Sequence, residues 1–281
     1  MSDTERIITT GNMTITEMTT NEAKAPHRQP RIWLYVASSR FLLISFGLFS
    51  IWWGISTFPV FWQDSRLDHA ADDILDGQEF KPEILQTLLA DTDSTERSWA
   101  RPEALRSAAI IRFRLAEDAS EPKTSAPLGP IIDQLATSVR RSLSEAPADP
   151  YLWFALFWSK TTKGDLSKDD FAYLRMSYLV GPHEGWVAGQ RNYIALAHFS
   201  ELPPDLAEAA VTEFKDLVAS AYYNSAVEIL AGPGWSIHDL LLRRLEDVPE
   251  EARRQLSRSA DQLGYAIEVP GVDRGEPRPW R

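Results

Sequence analysis

Phe41 to Trp62 reads FLLISFGLFSIWWGISTFPVFW, 22 residues without Asp, Glu, Lys, Arg or His. At about 1.5 Å per residue a helix of that length reaches roughly 33 Å, enough for a hydrocarbon core of about 30 Å. The spacing predicts a transmembrane helix. Lys24, Arg28, Arg31 and Arg40 precede it, whereas Asp64, Asp68, Asp72, Asp73 and Asp76 follow against only Arg66 and Lys81. The excess of Lys/Arg on the N-terminal side predicts a cytoplasmic N-terminus and a periplasmic C-terminal domain in a single-pass protein of the bacterial inner membrane. Gly54-x-Ser56 offers a small-x-small cleavage site. A 40-residue polar leader and the apolar continuation from Thr57 to Trp62 favour an uncleaved anchor instead.

Working outward, Met1 to Pro30 is rich in Thr, Asn and Glu and lacks either helical or strand periodicity, so residues 1–40 are read as a disordered cytoplasmic head. Trp33 and Tyr35 on one side and Trp62 on the other suit interfacial aromatic belts, and Pro59 lies near the outer end, where a kink costs least. After the span, Leu67, Ala70, Ala71, Ile74 and Leu75 recur at i, i+3, i+4, i+7 and i+8, one apolar stripe of a helix opposite Asp68, Asp72 and Asp76.

Helical patterns continue over 82–89, 102–117, 131–144, 151–160, 168–180, 186–199, 206–220, 225–230, 237–245 and 249–263, with few strand signals. Pro82, Pro102, Pro130, Pro150, Pro204 and Pro249 stand at or near first helical positions, and Gly264 follows the last helix. The fold class is therefore all-α. Glu117 to Gly129 (EDASEPKTSAPLG) is the most loop-like internal stretch and is taken to divide membrane-proximal helices (64–129) from a main helical domain (130–264). The Pro-bearing segment 265–281 is expected to run over the surface as a tail.

Charge and composition narrow the function classes. Residues 64–264 carry 21 Lys/Arg against 33 Asp/Glu, a net −12 that accounts for the negative charge of the whole chain and disfavours nucleic acid or anionic lipid as a partner of that domain. With no cysteine, disulfides, thiolate nucleophiles and Cys-based metal sites are excluded.

An internal echo suggests how the helices are organised. Ala146-Pro147-x-x-Pro150-x-x-Trp153-x-Ala155-Leu156 and Gly181-Pro182-x-x-x-Trp186-x-Ala188-Gly189 place Trp-x-Ala 33 residues apart, each after a Pro turn. That period is close to a tetratricopeptide-like α-solenoid, in which each indole is expected to be buried between adjacent helix pairs. Phe171, Ala172, Tyr173 and Tyr178 sit a few residues off that register, and the next Trp, Trp235, comes 49 residues after Trp186.

The segments SLSEAPADPYLWFALFW, LRMSYLVGPHEGW, LPPDLAEAAVTEF and ILAGPGW, within 130–281, resemble alphaproteobacterial proteins that pair one N-terminal span with a tetratricopeptide-like helical domain and a Pro-Arg-Pro-Trp-Arg-like tail. The resemblance implies a role among exopolysaccharide or envelope functions and supplies no catalytic residue.

Candidate sites follow from particular residues. Gly47, Ser50 and Gly54, at i, i+3 and i+7 in the span, form a small-residue face that lets another transmembrane helix approach. Trp99, Trp235 and Trp280, near polar stretches or chain ends, are candidate contacts for a protein partner or for glycan, since aromatic faces pack on sugar rings. His69, Asp72, Asp73 and Asp76 read as a solvated acidic face rather than a metal site. His183 and Glu184 in GPHEGW read as a helix start, where the dipole favours a carboxylate. No cofactor, metal or catalytic constellation is expected. The residues point to a non-catalytic periplasmic adaptor or scaffold, with a polysaccharide-binding accessory subunit using an aromatic groove as the alternative.

Overall fold

The computed structural model describes residues 30–93, 101–121 and 127–272, and it is all-helical, with no strand among them. By packing the chain divides into residues 1–58 and residues 59–281.

The first unit is occupied by most of helix α1 (Pro30–Leu75), and within it Ser38–Ser56 is long and apolar enough to cross a membrane, with none of the stretch buried. Three of its serine hydroxyls are satisfied within the helix. Ser38, Ser50 and Ser56 each donate their hydroxyl to a carbonyl three or four residues back, Tyr35 (3.0 Å), Phe46 (2.9 Å) and Trp52 (2.8 Å). A hydroxyl bonded in this way presents no unpaired donor to an apolar surrounding.

The second unit starts with the final turns of α1, whose stripe Leu67, Ala70 and Ala71 is buried while Ile74 and Leu75 pack at its margin. Gly77, at φ 84°, turns the chain, and α2 (Pro82–Asp93) sets Leu85, Leu88 and Leu89 against Leu67, Ala70, Ala108 and Ile111. In α3 (Pro102–Ser120) Ala104, Ala108, Ala109, Ala116 and Ala119 are buried, small residues that let neighbours come close. Helix α4 (Leu128–Glu145) buries Ile132, Leu135, Ala136, Val139 and Leu143 on one face, the spacing of an amphipathic helix, and packs on α3. The core is therefore continuous across the loop-like stretch 117–129.

Helix α5 (Pro150–Lys163) is apolar on all sides from Tyr151 to Trp158 because it divides two cores. Phe154 and Trp158 enter the cluster formed with α3 and α4, while Phe157 enters the cluster of the later helices. Asp149 caps it, accepting from the N–H groups of Tyr151 (2.9 Å) and Leu152 (3.1 Å) and from Arg106 Nε (2.6 Å). Gly164 closes the other end in the left-handed region, φ 69°.

Then come α6 (Phe171–Val180), α7 (Gly185–Ala197), α8 (Pro204–Ala219), α9 (Tyr223–Ala231), α10 (His238–Arg244) and α11 (Glu250–Gln262). Short 3-10 turns precede α6 and lie at 199–201, 233–237 and 245–247. Helices pack on near neighbours in order: α3 on α5, α5 on α6 and α7, α7 on α8 and α9, α6 on α8, α8 on α10, α9 on α11. The segment after Gly264 forms no element as far as residue 272, yet it is more than a surface tail. Ile267 and Val269 are buried in the core with α8 to α11, and Arg253 donates to the Pro270 carbonyl.

Candidate functional site

The residues singled out in the sequence end up in different places. Gly47 is half-buried, while Ser50 and Gly54 are exposed; a Cβ at Gly47 or Gly54 would meet nothing within 4 Å. Trp99 and Trp280 lie outside the described residues. Trp235 is 53% exposed, with one ring face stacked on His238 at 4.5 Å between centroids and 10° between planes. His69 is exposed and its Nδ1 lies 2.6 Å from the Ser65 carbonyl, and among the described residues no cluster of three metal-ligating side chains occurs. Asp68, from the same helix, instead accepts from Ser107 (2.8 Å), which ties α1 to α3. Glu184 stands at the N-cap of α7, where its carbonyl accepts from Val187 and Ala188.

One expectation needs correction. Trp153 and Trp186 are not both sealed between helix pairs. Trp153 is half-buried, stacked on Tyr173 with its Nε1 donating to the Pro147 carbonyl (2.7 Å). Trp186 is 36% exposed. Its Nε1 donates to Glu184 Oε2 (3.0 Å), and its ring packs on Tyr151 (5.2 Å between centroids). A side-chain acceptor two residues back holds the indole at the surface and away from the core.

That outward indole forms part of the wall of a cleft of about 360 Å³ between α3, α5, α7 and α9. Phe154 and Trp158, both buried, line it from α5; Trp186, Tyr193 and Tyr222 line it as exposed rings. The backbone of α7 shapes the space. Gly185, Gly189 and Tyr193 recur every four residues on one face, so the first two positions leave room that side chains would occupy. At Gly185 the room is filled from the turn before α9, for a Cβ there would overlap the Tyr222 phenol; at Gly189 a Cβ would touch Ser225 of α9 at 3.7 Å. Tyr222 is aimed by the preceding turn, in which Ala221 takes φ 67° and the Tyr222 N–H reaches the Leu217 carbonyl (2.9 Å).

The charged groups in the lining are Glu117 and Glu228, both acidic. Burial pushes the Glu117 carboxyl up to about 7 from its ordinary 4.5; Arg114, 3.8 Å away, opposes the shift and Asp118 adds to it. Burial likewise raises the Tyr151 phenol, which the Glu117 and Asp149 carboxylates raise further. Trp186 also lines a second hollow of about 400 Å³, bounded by Arg106, Glu184 and the 146–150 turn.

A second polar group is wholly internal. Arg191 in α7 is fully buried, stacked over Tyr178 (4.3 Å to the centroid), and bonded to Glu213 of α8, to Ser177 and to the Gly181 carbonyl. It donates to the Ser177 and Gly181 carbonyls at the C-terminal end of α6, the first of which also accepts from the Gly181 N–H (3.2 Å). This is an internal brace.

Comparison of the chain with protein-family models, with curated proteins and with solved structures gave no match.

Proposed function

We propose that the protein is a membrane-anchored, non-catalytic adaptor, spanning the bacterial inner membrane once with its N-terminus in the cytoplasm. Its tetratricopeptide-like periplasmic domain positions parts of an envelope or exopolysaccharide assembly system. The observation that carries this reading is the apolar stretch Ser38–Ser56, none of it buried. An apolar surface of that extent in water is strongly unfavourable, and lipid relieves it. The Lys/Arg asymmetry around the span supports the orientation. Packing of helices on the next but one, α3 on α5, α5 on α7, α7 on α9, α6 on α8 and α8 on α10, supports a stacked repeat array, an architecture whose extended surfaces serve binding. The resemblance of segments within 130–281 supports the envelope setting.

The test is recovery of partners from detergent-solubilised membranes with the Gly47→Leu/Gly54→Leu variant. Leucines block close helix approach on the Gly47, Ser50, Gly54 face while the segment still inserts. Partner recovery is expected to fall while membrane fractionation and domain folding stay unchanged. Recovery equal to wild type removes the span from partner choice.

The glycan reading rests on exposed aromatic surface, and Trp235 is its described member. Polysaccharide retained in the same pull-down by wild type, and lost in Trp235→Ala with protein partners unaffected, would favour it.

A further inference from the structure

The cleft between α5, α7 and α9 has features that an adaptor role does not require. We infer that it is a binding site for a small organic ammonium ion, with the cationic head against Trp186, Tyr193 and Tyr222 and with the carboxyl groups of Glu117 and Glu228 in the lining.

Three observations support this ligand class. First, the cleft is walled by rings at its mouth and at its floor: Trp186, Tyr193 and Tyr222 are each between 36% and 45% exposed, while Trp158 and Phe154 are buried beneath. Aromatic faces carry a negative quadrupole that attracts a cation, most strongly where water is displaced, and alkylammonium groups are the ligands such cages recognise. Second, both charged residues of the lining are carboxylic acids; Glu117 is held beside Arg114 and keeps its proton up to about 7, so Glu228, exposed on α9, is the carboxylate a cation meets, and no Lys or Arg lines the cleft to oppose it. Third, at about 360 Å³ the space lies at the small end of ligand pockets, which suits a compact amine rather than a long chain. The walls are also built from separate helices at cost to the fold. Ala221 is held in the left-handed region where a non-glycine residue is strained, in the turn that brings Tyr222 over Gly185.

An ammonium group of this kind could be free or carried on a lipid headgroup, and one experiment separates these sources. The full-length chain is solubilised in an uncharged polyoxyethylene detergent, free of sugar and ammonium headgroups, and titrated calorimetrically with choline. The comparison ligands are its uncharged isostere 3,3-dimethyl-1-butanol, glycerophosphocholine and maltotriose. Saturable choline binding is expected, tighter than the isostere by about tenfold or more, the range of a desolvated cation–π contact. Trp186→Ala and Tyr193→Ala should each weaken choline by about threefold or more. Glu228→Gln, at an exposed position where folding is not at stake, should also weaken it, with an unchanged melting temperature. Glycerophosphocholine bound more tightly than choline assigns a lipid headgroup; bound more weakly, it assigns a free amine. The inference is overturned by any of three results: equal affinity for choline and its isostere, no choline binding up to about 10 mM, or choline binding that Trp186→Ala and Glu228→Gln leave unchanged. Maltotriose binding that the variants weaken, without choline binding, would make the cleft a glycan site and also overturn it.

Discussion

At the scale of single residues, Arg191 shows how a charge is kept in an apolar core. Every guanidinium N–H has an acceptor: Nε and Nη2 reach Glu213 Oε1, Nη1 reaches the Ser177 carbonyl and hydroxyl, and Nη2 also reaches the Gly181 carbonyl. Burial pushes the Glu213 carboxyl up, opposed by Arg191 and by donors from Tyr178 and Asn192. Arg191→Ala leaves that acid buried without its partner, and a loss of about 3–5 kcal/mol is expected in urea denaturation. Arg191→Met/Glu213→Leu, which removes both charges, should recover most of it, because the isolated charge and not the missing contact dominates the cost. Glu117 provides a pH signature. The folded chain retains a proton that the unfolded chain releases between its ordinary 4.5 and about 7, so the contribution of Glu117 to stability falls as pH rises through that window. Compared with Glu117→Gln, wild type should lose on the order of 1–3 kcal/mol between pH 4.5 and 8, read as the difference in denaturation midpoints at each pH. Equal pH profiles for the two proteins would place the carboxyl in water.

At the scale of elements, the α8–α9 turn and the segment after α11 make separate predictions. The turn ends α8 with the Tyr222 N–H on the Leu217 carbonyl and with Ala221 where glycine is favoured. Ala221→Gly should raise stability by about 0.5–1 kcal/mol, since relief of left-handed strain exceeds the added freedom of the unfolded chain. A destabilised variant would show that the alanine methyl packs usefully in the turn. Beyond Gly264, itself at φ 83°, Ile267 is seated in the core with 4% exposure. Ile267→Ala is expected to cost about 2–4 kcal/mol in the same assay, whereas a true surface tail would lose almost nothing. Periodicity made most of the helices legible, since apolar stripes such as Leu67, Ala70, Ala71 and the first-turn prolines are local signals. It could not reveal the role of 265–272, because an irregular segment carries no period. Nor could it show that α5 faces two cores, because an all-apolar helix has no preferred side until its neighbours arrive.

At the scale of the whole molecule, the proposed orientation predicts that protease added to intact spheroplasts digests residues 64–281. Protection of that region until the inner membrane is breached would reverse the topology and remove the periplasmic setting. The sequence by itself determined the all-helical class and the presence of one apolar segment of membrane-spanning length, because both follow from composition and spacing along the chain. The exposed Trp186 and the acid-bearing aromatic cleft were decided only by tertiary structure. Trp186 resembles a repeat-core indole in sequence and turns outward because Glu184 accepts its N–H and Tyr222 occupies the space over Gly185. The cleft joins Glu117 to Ile229 across four helices, and such a juxtaposition has no local signature. It arises where α3, α5, α7 and α9 meet with Gly185 and Gly189 in the lining, so that the packed helices leave a space unfilled.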